Sequence, residues 1–289
     1  MTSVRIYMRF PNQRSKAVTL SYDDGSEQDI RLMDIMNRHG IKGTFNISAG
    51  LYSPEGKQFP EGSVCRRMTR QAAIELYKDS GHEVAIHGYS HPFLEQMPSS
   101  RIALEALEDR VNHERDFGCI VRGMAYPFGS FDQTVIDALK SSGIVYSRTT
   151  TATGKFSVPT DWYRWNPTCK HTDSRLKELT GNFLAAKGEK TPMLFYLWGH
   201  SFEFDSDHNW DVIERFCAEI GGREDVWYAT NLEIYDYVQA YQRLIWSADA
   251  GRVYNPSSIP VSFKLHLIRP EEETHQTYTV APNETLDLF

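Results

Sequence analysis

No stretch of this 289-residue chain approaches the roughly 20 consecutive apolar residues that cross a bilayer, so no membrane-spanning helix is expected. The amino-terminal MTSVRIYMRF has no apolar run of signal-peptide length, which makes the cytoplasm the expected location. Clustered Lys and Arg are missing too. With 31 basic and 38 acidic side chains the formal charge is −7, the wrong sign for neutralising a phosphate backbone. Nucleic acid is therefore not an expected partner. Cysteine is sparse: Cys65, Cys119, Cys169 and Cys217 form no C-x-x-C pair, and none sits at zinc-finger spacing from a histidine. Reduced, partly buried thiols are the expectation. Internal repeats and low-complexity segments are also absent.

What remains is the composition of an ordinary globular protein, 40% hydrophobic and 24% charged. A chain of this length buries a core without metal or disulfide support, so a metal here would be catalytic rather than structural.

Strand-like and helix-like segments alternate. Ala17–Tyr22 reads as a buried strand ended by Asp-Asp-Gly, and Ile30, Met33 and Met36 mark the helix that follows, closed by Gly40. Further strands are expected at Thr44–Ile47, Val84–Ile86, Val121–Tyr126, Ile144–Ser147, Met193–Trp198 and Val226–Ala229. Between them lie expected helices capped by Thr69, by Ser99 or Ser100, and from Asp132, Asp211 and Asn231. In the helix reaching Phe117, Ile102, Leu104, Leu107 and Val111 read as the apolar positions. This alternation favours a parallel sheet covered by helices, whose active site gathers at the carboxyl ends of strands. Past residue 249 the pattern changes to short alternating strands, read as a small β extension over 249–289 attached to an α/β domain over 1–248.

Five polar clusters each follow an expected strand. Asp23 and Asp24 repel each other unless a cation or proton offsets them, although Asp-Gly alone is also a common turn. His87 and His91 flank Gly88 and precede Pro92, so they belong to a loop; neutral imidazoles joined by a carboxylate suit zinc, cobalt or nickel, and two unrelated loop histidines are the alternative. The turn Tyr126-Pro127-Phe128-Gly129 offers backbone N–H groups to an oxyanion, or is a plain turn. Asp161 and Arg164 are interleaved with Trp162, Tyr163 and Trp165, aromatics on which sugar rings stack or which tie a loop to the core. His200 ends a strong strand, where a group titrating near ~6.5 is well placed as a general acid, a satisfied structural histidine being the alternative.

In this order the clusters resemble the polysaccharide deacetylase (NodB-homology, carbohydrate esterase family 4) family. Ser21–Gly25 matches [ST]-[FY]-D-D-G, and His87–His91 matches H-x-x-x-H with Gly88 after the first histidine. Ala125–Gly129 aligns with R-x-P-[FY]-G, Ala125 standing at the arginine position. Only Asp161 and Trp162 remain of D-x-x-D-W, and Trp198 replaces the leucine of L-x-H at His200. The likeness runs over about residues 16–235 and implies a distorted (β/α) barrel. It further implies one divalent metal, zinc by default with cobalt, nickel or iron as options, on Asp24, His87 and His91. Asp23 would be the base and His200 the acid, oriented by Asp161. Arg164, or else Arg122, would support Asp23. Phe128 would supply the oxyanion contact, with Tyr126, Trp162 and Trp198 near the substrate. The implied activity is removal of N- or O-linked acetyl groups from a carbohydrate. Opening of a cyclic ureide or imide, as in allantoinase-like relatives, and carbohydrate binding without catalysis are the alternatives.

Overall fold

The computed structural model describes residues 3–269 and 272–289. β1 (Ser3–Arg9) precedes the central sheet, and β2 (Lys16–Asp23), buried at every position, is that sheet's first member. The alternation continues through α1 (Asp29–Arg38), β3 (Gly43–Ile47), α2 (Arg70–Tyr77), β4 (Glu83–Ile86), α3 (Ser99–Phe117), β5 (Gly123–Ala125), α4 (Gln133–Ser141) and β6 (Tyr146–Arg148). It ends with β7 (Cys169–Lys170), α5 (Leu176–Ala185), β8 (Met193–Gly199), α6 (Glu203–Ser206), α7 (Trp210–Ile220), β9 (Val226–Tyr228) and α8 (Asn231–Gln242). The strand order is β6-β5-β4-β3-β2-β8-β7, with β9 also pairing with β2, and the pairings are all parallel. The sheet curls into a half-barrel flanked by helices, the (β/α) architecture expected.

Burial on both faces explains the near-continuous apolar run of β2. Val18, Leu20 and Tyr22 join one core cluster with Phe45, Phe195 and Leu197, while Ala17 faces another with Tyr146, Trp165 and Tyr196. Local capping follows side-chain chemistry: the Thr69 hydroxyl accepts from the Ala72 N–H at 3.2 Å, and Asp132 accepts from that of Val135 at 2.8 Å.

α3 departs from expectation in two ways. Its N-cap is Pro98 in extended backbone, and both serines lie inside the helix. More importantly, of the four expected apolar positions only Ile102 is buried; Leu104, Leu107 and Val111 are exposed. The helix instead turns Glu105, Asp109, His113 and Asp116 inward. These side chains recur at helical spacing on one face, where Glu105 and Asp109 satisfy backbone donors of neighbouring loops, His113 meets the end of β3 and Asp116 pairs with Arg70 of α2.

After α8 come β10 (Ile245–Trp246), β11 (Arg252–Tyr254), β12 (Val261–Arg269), β13 (Glu272–Val280) and β14 (Thr285–Asp287). They form two antiparallel sheets, β1-β12-β13 and β10-β11-β14, so the first strand of the chain pairs with the carboxyl-terminal hairpin. Val253, Val261, Phe263, Leu265 and Val280 pack there with Ala240 of α8 and Leu244. No helix among the described residues is long and apolar enough to cross a membrane.

Candidate active site

The carboxyl ends of β2, β4, β6 and β8 deliver Asp23, His87, Arg148 and His200 to one end of the half-barrel, as the rule for parallel sheets requires. Asp23 is the last residue of β2 and is 2% exposed. Its Oδ1 accepts from Asn46 Nδ2 at 2.8 Å, and its Oδ2 accepts from Arg148 Nη2. The same Oδ2 lies 3.9 Å from Nε2 of both His87 and His200. Burial pushes the Asp23 carboxyl up, but Arg148, His87 and His200 outweigh it and hold the group below the usual carboxylate value. Asp23 is thus an anion fixed among cationic and imidazole groups.

The next residue turns away. Asp24 has φ +84° and Gly25 φ +60°, a left-handed pair that ends the strand and separates two consecutive carboxylates. Asp24 accepts from Arg67 Nη2 at 2.5 Å and shares a cluster with His87 and His91, whose donor atoms all lie within 4.8 Å of one another. His87 Nδ1 donates to the Ala125 carbonyl at 2.8 Å, which leaves Nε2 with its lone pair toward that cluster. Burial and the neighbouring His87 push His91 down to about 4, so its imidazole is neutral. One carboxylate and two imidazoles are a donor set that fits zinc and similar divalent ions.

The polar face of α3 holds this loop. Asp109 accepts from the backbone N–H of His87 at 3.0 Å and of Ala49 at 2.7 Å. Glu105 accepts from the Ser90 N–H at 2.8 Å and hydroxyl at 2.9 Å, between the two histidines. His113 Nε2 donates to the Ile47 carbonyl at 2.9 Å.

Residues 11–147 match the family model described as polysaccharide deacetylase. Over this span the chain is similar to the polysaccharide deacetylase family. Uncharacterized protein YlxY of Bacillus subtilis (strain 168) is 30% identical over 142 residues, 48% of this chain, and the chain spans only 40% of that relative's length. A Mycobacterium smegmatis protein described as a candidate polysaccharide deacetylase superposes with a TM-score of 0.56 at 16% identity, covering 81% of this chain and 93% of that one. The Xyl-CE4 domain of a multidomain xylanase, from the hindgut metagenome of Trinervitermes trinervoides, gives 0.51 at 18% identity over 78% and 92%. At these identities the likeness establishes a shared fold.

Within this deacetylase fold several residues stand elsewhere than the sequence suggested. Arg164 does not reach Asp23: it pairs with Asp161 at 2.7 Å, both about half exposed. Arg122 pairs with Asp236 at 3.0 Å. The arginine on Asp23 is Arg148, fully buried at the end of β6, one residue past the strand end expected from sequence. Its guanidinium lies 4.4 Å from the Trp198 ring centre, so Trp198 serves as a platform for this cation rather than as an open pocket wall.

His200 is likewise held by a different acid. Nδ1 donates to Glu203 Oε1 at 3.2 Å, while Asp161 is engaged by Arg164 and by the Tyr163 N–H. Lys170 Nζ sits 2.7 Å from Glu203 Oε1, and His171 Nε2 3.1 Å from Oε2. Burial opposes ionisation of His200, yet Glu203 and Asp23 prevail and raise its pKa above the ordinary value. Glu203 lies three residues beyond His200, at the start of α6, and that spacing was the available signal.

The aromatics expected to meet sugar are mostly core. Trp162 packs edge-on against Trp165 and Tyr235, and Tyr126 is buried with its hydroxyl donating to the Tyr163 carbonyl at 2.8 Å. Its backbone N–H is also engaged, by the Arg148 carbonyl at 3.1 Å. The exposed aromatics near the cluster are Phe128 and Phe93, stacked at 3.9 Å, with Phe128 4.5 Å from the His91 ring centre. Phe128 adopts φ +58° in the turn after β5.

Proposed function

We propose that this chain is a metal-dependent hydrolase that removes acetyl groups from a carbohydrate. The reading is carried by one observation: Asp24, His87 and His91 converge as a donor set while Asp23, anionic and separately anchored, stands beside them. A divalent ion held there, zinc by default, would supply a Lewis acid for the acetyl carbonyl and for water.

The chain's own residues divide the remaining work. Asp23 Oδ2 takes the proton of the attacking water, and Arg148 and Asn46 keep the carboxylate ionised and fixed in orientation. His200 Nε2, 3.9 Å from that oxygen, delivers a proton to the departing amine or alcohol. Glu203 fixes its tautomer through Nδ1. The backbone N–H of Phe128 is the proposed donor to the oxyanion. Phe93 and Phe128 present an apolar platform at the rim of the donor set, suited to a sugar face.

Acetate release tests the reading. Metal-loaded protein is expected to free acetate from acetylated chito- or xylo-oligosaccharides and to leave cyclic imides closed. Imide opening without acetate release points to the ureide class; sugar binding with neither reaction makes the chain a binding protein.

A further inference from the structure

The β12–β13 hairpin places three potential ligands together on one face. His266 and His275 are direct partners in the antiparallel register, and Glu273, two residues before His275, projects to the same side. The imidazole centres are 4.0 Å apart and tilted by 32°. Glu273 Oε1 lies 2.5 Å from His266 Nε2 and 3.6 Å from His275 Nε2. One donor atom from each of the three falls within 4.8 Å of the others.

The contact between His266 and Glu273 is not an ordinary hydrogen bond. His266 has a side chain only 9% exposed, and its Nε2, though close to the carboxylate, has no aligned partner among the described residues. A buried imidazole nitrogen left so is unfavourable unless something else takes its lone pair. Close approach without N–H···O alignment is what donors aimed at a common third point produce. From these contacts we infer that His266, Glu273 and His275 form a second divalent-metal site, separate from the Asp24, His87 and His91 cluster and independent of the proposed deacetylase reading.

Two imidazoles and one carboxylate select zinc, with nickel and copper as alternatives, over magnesium or calcium, which take oxygen ligands. A four-coordinate ion with bonds of ~2.0–2.1 Å sets its donors ~3.3–3.5 Å apart. The present separations bracket that spacing. Glu273 and His275 are 59% and 47% exposed, so both can rotate to reach it, and solvent fills the fourth position. Arg5 faces His266 across β1–β12, and Lys264 lies two residues along the same strand face. These cations compete for Glu273 and weaken binding, so the site fills after the Asp24 cluster. Once filled, it ties β12 to β13 and stabilises the sheet to which β1 also belongs, by mass action on the folded state.

The test is zinc stoichiometry on untagged, chelator-stripped full-length chain titrated with zinc chloride, alongside thermal unfolding. Two zinc ions per chain are expected for the unsubstituted protein, one for His275→Ala, one for His91→Ala, and none for the double variant. Zinc should raise the melting temperature of His91→Ala and not that of the double variant. His275 is exposed, so its removal leaves folding and acetate release unchanged. Equal zinc content in His275→Ala and the unsubstituted chain overturns the second site, as does complete loss of zinc in His91→Ala. Absence of acetate release with two zinc ions bound counts against the deacetylase reading alone.

Discussion

Arg148 holds the Asp23 carboxylate from the end of a strand four places away in the sheet, with both groups removed from solvent. An exposed ion pair contributes little, whereas one partner left alone in the interior is costly. Replacing Arg148 with Met should therefore destabilise the fold by about 3–5 kcal/mol. Arg164→Ala, at the half-exposed pair with Asp161, should change stability by no more than about 0.5 kcal/mol. Urea unfolding of the two variants measures the difference. Equal midpoints would return Arg164 to consideration as the partner of Asp23.

Glu203 raises the proton affinity of His200, and the sign of its removal follows. As the proposed acid, His200 must be protonated to act, so activity is expected to fall as pH rises through its pKa. Glu203→Gln removes the anion that favours imidazolium, lowers that pKa and moves the alkaline limb of the kcat profile to lower pH. Asp161→Asn should leave the limb in place. A limb that follows Asp161 and ignores Glu203 would restore the residue the motif suggested.

Asp109 acts on the donor set through the backbone. It accepts from the His87 N–H and from the Ala49 N–H, so Asp109→Ala strands two buried donors and loosens the loop that presents His87 and His91. Zinc affinity should fall on the order of 10–100-fold, the usual effect of losing a supporting group behind a ligand. Competition with a chromogenic chelator reads it directly.

The fold was open to sequence reading where period and burial agree. β2, β3, β4 and β8 are buried apolar runs with polar ends, and their strands lie within a residue or so of expectation. α3 misled because hydrophobicity is a proxy for burial, and this helix buries carboxylates that find backbone donors in neighbouring loops. Only the fold shows which N–H groups await them. β7 escaped notice because two residues carry no periodicity.

Within the candidate site, the grouping of Asp24, His87 and His91 was legible as a motif, since Asp24 and His87 directly follow strands and His91 lies in the same loop as His87. The supporting residues were not. Arg148 reaches Asp23 across β5, β4 and β3, a relation with no sequence spacing to betray it. Trp162 and Trp198 have the composition of a sugar platform, yet one belongs to the core and the other backs Arg148. Aromatic content alone does not say which face is wet.

The most direct test of the central claim is acetate release by metal-loaded protein before and after chelation, with Asp23→Asn measured in parallel. The account predicts that chelation abolishes release and divalent metal restores it. It also predicts that Asp23→Asn keeps metal at the Asp24 cluster while losing ~10²–10⁴ in rate. Release that survives chelation, or full activity in Asp23→Asn, would contradict it.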